Sequence, residues 1–101
     1  MKISNLEIPE EKIAGFCKRN HIRRLALFGS VLREDFGPDS DIDIIVEFEE
    51  NFTPGLFRIF DMEDELSEIF GGRKIDLRTP ADLSRYFRDD VIRKSELCYG
   101  T

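Results

Sequence analysis

Ser40-Asp41-Ile42-Asp43-Ile44-Ile45-Val46, shortly downstream of Leu27-Phe28-Gly29-Ser30, is the stretch that decides how this chain folds. Alternate side chains of an extended strand point to opposite faces, so Ile42, Ile44, Val46 and Phe48 form an apolar row while Asp41 and Asp43 share the other side. One face belongs to a core, and the other carries paired carboxylates. Two carboxylates about 6 to 7 Å apart along a strand can bracket hard cations, which take oxygen ligands and bridge the phosphates of a nucleotide. The pattern points to phosphoryl or nucleotidyl transfer.

Upstream, residues 22–28 end in Leu25-Ala26-Leu27-Phe28 and predict a first strand. Gly29 permits a sharp turn there, and Ser30 to Arg33 open a short helix. A Gly-Ser at such a junction offers backbone N–H groups to an anion. Gly37-Pro38-Asp39-Ser40 predicts the turn that brings the strand at 41–48 back beside the first, antiparallel to it. Before both strands, Pro9 predicts a helix running to about Asn20 with Ile13, Phe16 and Cys17 on one face.

Downstream, residues 49–54 read as an acidic loop. From Gly55 to Phe70, Leu56, Ile59, Phe60, Glu63, Leu66, Ile69 and Phe70 give a helical stripe with one polar interruption, ended by Gly71-Gly72 and expected to cover the apolar face of the sheet. Residues 73–78 predict a third strand. If Ile75 and Leu77 join Ile42 and Ile44 in the core, Asp76 must emerge on the open face with Asp41 and Asp43. Thr79-Pro80-Ala81-Asp82 predicts a helix start, and Leu83, Phe87, Val91, Ile92 and Leu97 an amphipathic helical region broken before Arg85.

A chain of 101 residues predicts a single domain, 1–101, with no room for a second substrate-binding domain. The 41% hydrophobic content and nine Phe are globular values, and most of the rings are expected in the core. A formal charge of −6 opposes non-specific binding to nucleic acid, which is disfavoured as a direct substrate. The exception is Lys18-Arg19-Asn20-His21-Ile22-Arg23-Arg24, read first as a solvated helix C-terminus favoured by the dipole and second as a surface for an acidic partner. No segment reads as a membrane span, and Met1 to Lys12 do not look like a signal peptide. Cys17 and Cys98 lack metal or redox spacing, which suits a reducing cytoplasm. With His21 the sole histidine, a His-based metal site or catalytic triad has little to build on.

Residues 27 to 33, Leu-Phe-Gly-Ser-Val-Leu-Arg, together with Pro38-Asp39-Ser40-Asp41-Ile42-Asp43-Ile44-Ile45-Val46-Glu47-Phe48, closely resemble the minimal nucleotidyltransferase (MNT) family of the DNA polymerase β-like superfamily. The resemblance extends through Lys74-Ile75-Asp76-Leu77 to Leu97-Cys98-Tyr99. It implies an α+β, two-layer nucleotidyltransferase fold, with a mixed sheet carrying helices on one face and the active site on the other. It implies that Asp41, Asp43 and Asp76 hold two Mg²⁺ ions, that Asp76 takes the proton of the incoming hydroxyl, and that Gly29 and Ser30 grip the phosphates of ATP. Arg33 is a candidate for a further phosphate contact or for an exposed ion pair. The resemblance also implies an antitoxin that transfers AMP to a tyrosine of a HEPN-domain ribonuclease toxin and so silences it. One position departs from the family: Glu34 stands where relatives usually have Gly, adding negative charge near the expected triphosphate. The rival reading is a non-catalytic antitoxin that neutralises the HEPN partner by covering it. Transfer to a small molecule such as an antibiotic would need further helical structure for the acceptor.

Overall fold

In the computed structural model, which describes residues 2–3 and 6–100, the predicted alternation and periodicity resolve into short, closely connected elements. An antiparallel pair, β1 (Lys2–Ile3) and β2 (Leu6–Glu7), precedes helix α1 (Glu10–Arg19) and strand β3 (Ile22–Phe28). A 3₁₀ turn over Gly29–Leu32 leads by a loop to β4 (Ile42–Phe48). Helix α2 (Leu56–Ile69), strand β5 (Ile75–Arg78), a 3₁₀ turn at Pro80–Asp82, helix α3 (Arg88–Lys94) and strand β6 (Glu96–Tyr99) complete the chain.

Four strands form one sheet in the order β5-β4-β3-β6. β3 is antiparallel to both β4 and β6, whereas β5 runs parallel to β4, so the sheet is mixed as expected. Leu25 and Leu27 of β3 and Ile42, Ile44 and Val46 of β4 are fully buried, against Ile13, Phe16 and Cys17 of α1 and Met62 and Leu66 of α2. Complete burial of each such aliphatic side chain is worth about 1.5 to 3 kcal/mol, and this layer fixes which face of β4 is left for Asp43. Burial also pushes the Cys17 thiol up to about 12, as a core residue rather than a reactive one. Among the described residues no helix is long and apolar enough to cross a membrane.

The end of the basic run, past α1, meets acids in and just after β4. Arg23 and Arg24 both reach Glu47, and His21 reaches Glu49. Asn20, buried at the end of α1, donates to the Phe16 carbonyl oxygen at 2.9 Å and accepts from the Arg58 guanidinium.

Two expectations are corrected. Of the stripe on α2, Leu66 and Phe70 are buried and Ile59 and Ile69 partly so, whereas Leu56 and Phe60 are exposed and Met62, outside the stripe, is buried, because the helix packs over the short edge strand β5. The polar interruption has a purpose: Glu63 accepts the Leu77 N–H at 2.9 Å. Of the nine Phe rings, Phe16, Phe36 and Phe70 are buried and Phe48 and Phe52 pack partly buried against the core, as expected of most, whereas Phe57, Phe60 and Phe87 are exposed. Finally, the C-terminal region is not one broken helix, because Leu97 lies in β6 opposite Ala26. That strand covers the open edge of β3, whose backbone groups would otherwise lack partners.

Candidate active site

At the end of β3 the backbone of Gly29 takes a φ of +66°, a conformation that favours glycine. A Cβ at this position would sit 2.6 Å from Asp43 Oδ2. With no side chain there, the turn brings Ser30 directly against the aspartate. Ser30 donates its backbone N–H at 3.2 Å and its hydroxyl at 3.1 Å to Asp43 Oδ2, and the same hydroxyl lies 2.9 Å from the Asp41 carbonyl oxygen. Both contacts engage Oδ2, leaving Oδ1 without a hydrogen-bond partner among the described residues.

Asp76 is the register partner of Asp43 across the parallel β4–β5 pair, as Ile75 is of Ile42 and Leu77 of Ile44. Neighbouring strands lie about 4.8 Å apart and equivalent residues share a face, so the two aspartates stand side by side. Arg78, two residues on along the same face, holds Asp76 through both oxygens, with Nε 3.1 Å from Oδ1 and Nη2 3.3 Å from Oδ2. The hydrogen bond to Asp76, followed by its charge, raises the Arg78 pKa above the ordinary value.

Asp41 immediately precedes β4 and is the most loosely held of the three. Its loop is clamped by Arg73, whose Nη2 donates to the Gly37 carbonyl oxygen at 2.8 Å and the Ser40 carbonyl oxygen at 2.9 Å. The Arg73 guanidinium also lies 4.8 Å from the centre of the Phe36 ring. Lys74 Nζ approaches Asp41 Oδ2 only to 4.0 Å, and the Asp41 side chain is 47% exposed. Ala26 and Ile45, on the same face as Asp43 by parity, are only 5% exposed. That face is therefore open around the carboxylates and closed further along the strands.

Among the described residues no three His, Cys, Asp or Glu side chains stand as a group able to hold a metal ion by themselves. The donors nevertheless suit Mg²⁺, which prefers oxygen and is ordinarily held by one or two carboxylates with the rest of its shell from phosphate and water. Asp43 Oδ1 and the exposed Asp41 carboxylate are such donors, and a bound nucleotide would complete the set. Arg33 and Glu34 are exposed. Arg33 has no side-chain partner among the described residues, so the exposed ion pair considered for it is not formed.

The motifs assign no role in the site to Arg73, Arg78 or Glu63. Arg78 was the most accessible of them, since residues two apart on a strand share a face. Arg73 and Glu63 act across 33 to 36 and 14 positions of sequence, respectively, and carry no local signal.

Residues 11–101 match the family model described as polymerase beta, nucleotidyltransferase. Protein adenylyltransferase MntA of Thermococcus cleftensis is 34% identical over 77 residues, which cover 76% of this chain and 75% of that protein. A Methanocaldococcus jannaschii protein, MJ0128, provisionally named a protein adenylyltransferase, is 45% identical over 56 residues, 55% of this chain and 54% of its own. That match spans about half of the relative's length. A chain from the crystal structure of a toxin-antitoxin with AMP-PNP superposes with a TM-score of 0.73 at 23% identity, over 92% of this chain and 74% of that one. A chain from a tri-AMPylated Shewanella oneidensis HEPN toxin in complex with its MNT antitoxin gives a TM-score of 0.64 at 22% identity, over 91% and 70% of the two chains. At these identities the structural likeness shows the fold.

Proposed function

Because this chain belongs to the polymerase beta nucleotidyltransferase family, we propose that it is a Mg²⁺-dependent antitoxin that transfers AMP from ATP to a tyrosine hydroxyl of a HEPN ribonuclease toxin. The observation that carries the reading is the Ser30 turn bonded to Asp43 with Asp76 in register beside it. The protein adenylyltransferase name of the Thermococcus relative supports the acceptor being a protein. The toxin-antitoxin structure with AMP-PNP supports an adenine nucleotide, and the tri-AMPylated HEPN toxin supports the partner class.

In this proposal Asp41, Asp43 and Asp76 would hold Mg²⁺, which when bound neutralises phosphate charge and stabilises the attacking and leaving oxygens of an in-line displacement. Ser30 would exchange Asp43 for a phosphate, offering the same N–H and hydroxyl, with the Gly29 N–H beside it. Arg33, exposed at the end of that turn, is available as a further phosphate contact. Asp76 would orient the tyrosine hydroxyl and accept its proton as the new Oη–Pα bond forms and the bond from Pα to the leaving pyrophosphate oxygen breaks. Arg78 must first release Asp76 for that role.

The test is transfer of labelled AMP from ATP to the cognate HEPN protein by the wild type and by Asp43→Asn. Labelling by the wild type that disappears in the variant is the expected result, and equal labelling would remove Asp43 from the mechanism. A second reading, neutralisation by binding alone, is favoured by the hold of Arg78 on Asp76 and by the exposure of Leu56, Phe57 and Phe60. If Asp43→Asn protects cells from the toxin as well as the wild type does, that second reading is the function.

A further inference from the structure

Leu56, Phe57 and Phe60 are exposed by 67%, 83% and 49% at the start of α2. Leu56 and Phe60 line a cavity of about 670 Å³ between that helix and the edge strand β5, and its wall continues to Asp76, Arg78 and Asp82. An apolar patch of this kind, rimmed by charge and opening onto a candidate proton acceptor, needs an occupant. We propose that the groove seats the acceptor segment of the partner protein, a stretch carrying an aromatic residue among basic side chains, and that it delivers the hydroxyl to Asp76. The proposal rests on the nucleotidyl-transfer reading and adds to it the route by which the protein substrate arrives.

In-line attack places the entering and departing oxygens on opposite sides of the phosphorus. Ser30 is bonded to Asp43, and Asp43 stands in register with Asp76, so the three form a row running from the turn after β3 across β4 to β5. With pyrophosphate departing on the Ser30 side, the acceptor must enter from the β5 side. β5 is the last strand of its sheet, and the groove is what lies beyond it.

Two further observations describe the occupant. The cavity wall carries Glu63, Asp76 and Asp82 against Arg78 alone, which favours a segment with basic residues. The exposed surface also continues past the cavity onto Phe57, beyond the reach of a single small molecule and suited to a polypeptide anchored by large side chains.

The deciding experiment compares the wild type with Leu56→Asp/Phe60→Ser in labelled AMP transfer to the cognate HEPN protein, alongside the rise in Tm on adding AMP-PNP and Mg²⁺. The double variant should raise KM for the partner by about tenfold or more, with kcat within about twofold and the nucleotide-dependent rise in Tm unchanged. Leu56→Ser alone changes only an exposed side chain and should give the same effect at smaller size with the unfolding midpoint preserved. An unchanged KM in both variants overturns the groove while leaving the transfer reading standing. Loss of the nucleotide-dependent rise in Tm also overturns it, because the cavity would then serve the base of the nucleotide. A wild type that binds the partner without labelling it sinks the transfer reading, and the acceptor seat with it.

Discussion

Asp43 and Asp76 occupy matching positions on adjacent strands, yet the chain holds them by opposite means. Asp43 is engaged by a backbone amide and a hydroxyl from a turn that has no room for a side chain. Asp76 is engaged by Arg78, whose own side chain is 47% exposed. A bond from a turn fixed by packing persists, whereas an exposed ion pair contributes about 0 to 1 kcal/mol and exchanges readily. In the proposed mechanism the side of the site that would take the phosphates is built in advance, and the side that would take the acceptor is left for an incoming group to complete.

The largest effect expected from breaking this asymmetry is on catalysis in Asp43→Asn, which keeps the shape but removes the charge. AMP transfer should fall by about 10³-fold or more if two metals depend on this carboxylate, and single-turnover labelling measures it. Gly29→Ala attacks the same aspartate through its support. The new methyl would stand 2.6 Å from Asp43 Oδ2 at a φ of +66°. A non-glycine residue strained in this way costs about 1 to 3 kcal/mol, and displacement of the carboxylate should lower transfer about 10²-fold. Urea denaturation and the labelling assay report the two effects separately, and wild-type activity in Gly29→Ala would show that the turn does not position Asp43.

Ser30→Ala sharpens the comparison, since it deletes the hydroxyl and leaves the amide. Loss of one hydrogen bond to a charged group should cost about 1.5 to 3 kcal/mol of the stability contributed by this contact, an upper range because water can reach the part-exposed site. Activity should fall about tenfold through weaker nucleotide binding, visible as a raised KM for ATP. A lowered kcat with KM unchanged would instead assign the hydroxyl to the transition state alone.

These contrasts also explain what could be read in advance. β3 and β4 were legible because strand alternation and the Gly-Ser and Asp-x-Asp motifs agreed on the same residues. Asp76 was legible by parity, since Ile75 and Leu77 had only one way to face the core. β6 was not, because Leu97 continues the apolar spacing of Val91 and Ile92, and only the unpaired edge of β3 makes Glu96–Tyr99 a strand. The α2 stripe was misjudged for a related reason. Periodicity identifies an apolar face, but how much of it is buried depends on the length of the surface opposite, and β5 has only four residues. The exposed Leu56 and Phe60 are the remainder.

The smallest effect distinguishes the two aspartates most sharply. Arg78→Ala removes an exposed partner, so stability should change by no more than about 0.5 kcal/mol. Its consequence lies in competition: a guanidinium on both oxygens of Asp76 opposes any cation seeking the same carboxylate. The Mg²⁺ concentration giving half-maximal AMP transfer should therefore fall about two- to fivefold in the variant, because less of the binding energy is spent displacing Arg78. A shift in the opposite direction would mean that Arg78 assists the charged substrate more than it blocks the metal, and that Asp76 is held as firmly as Asp43.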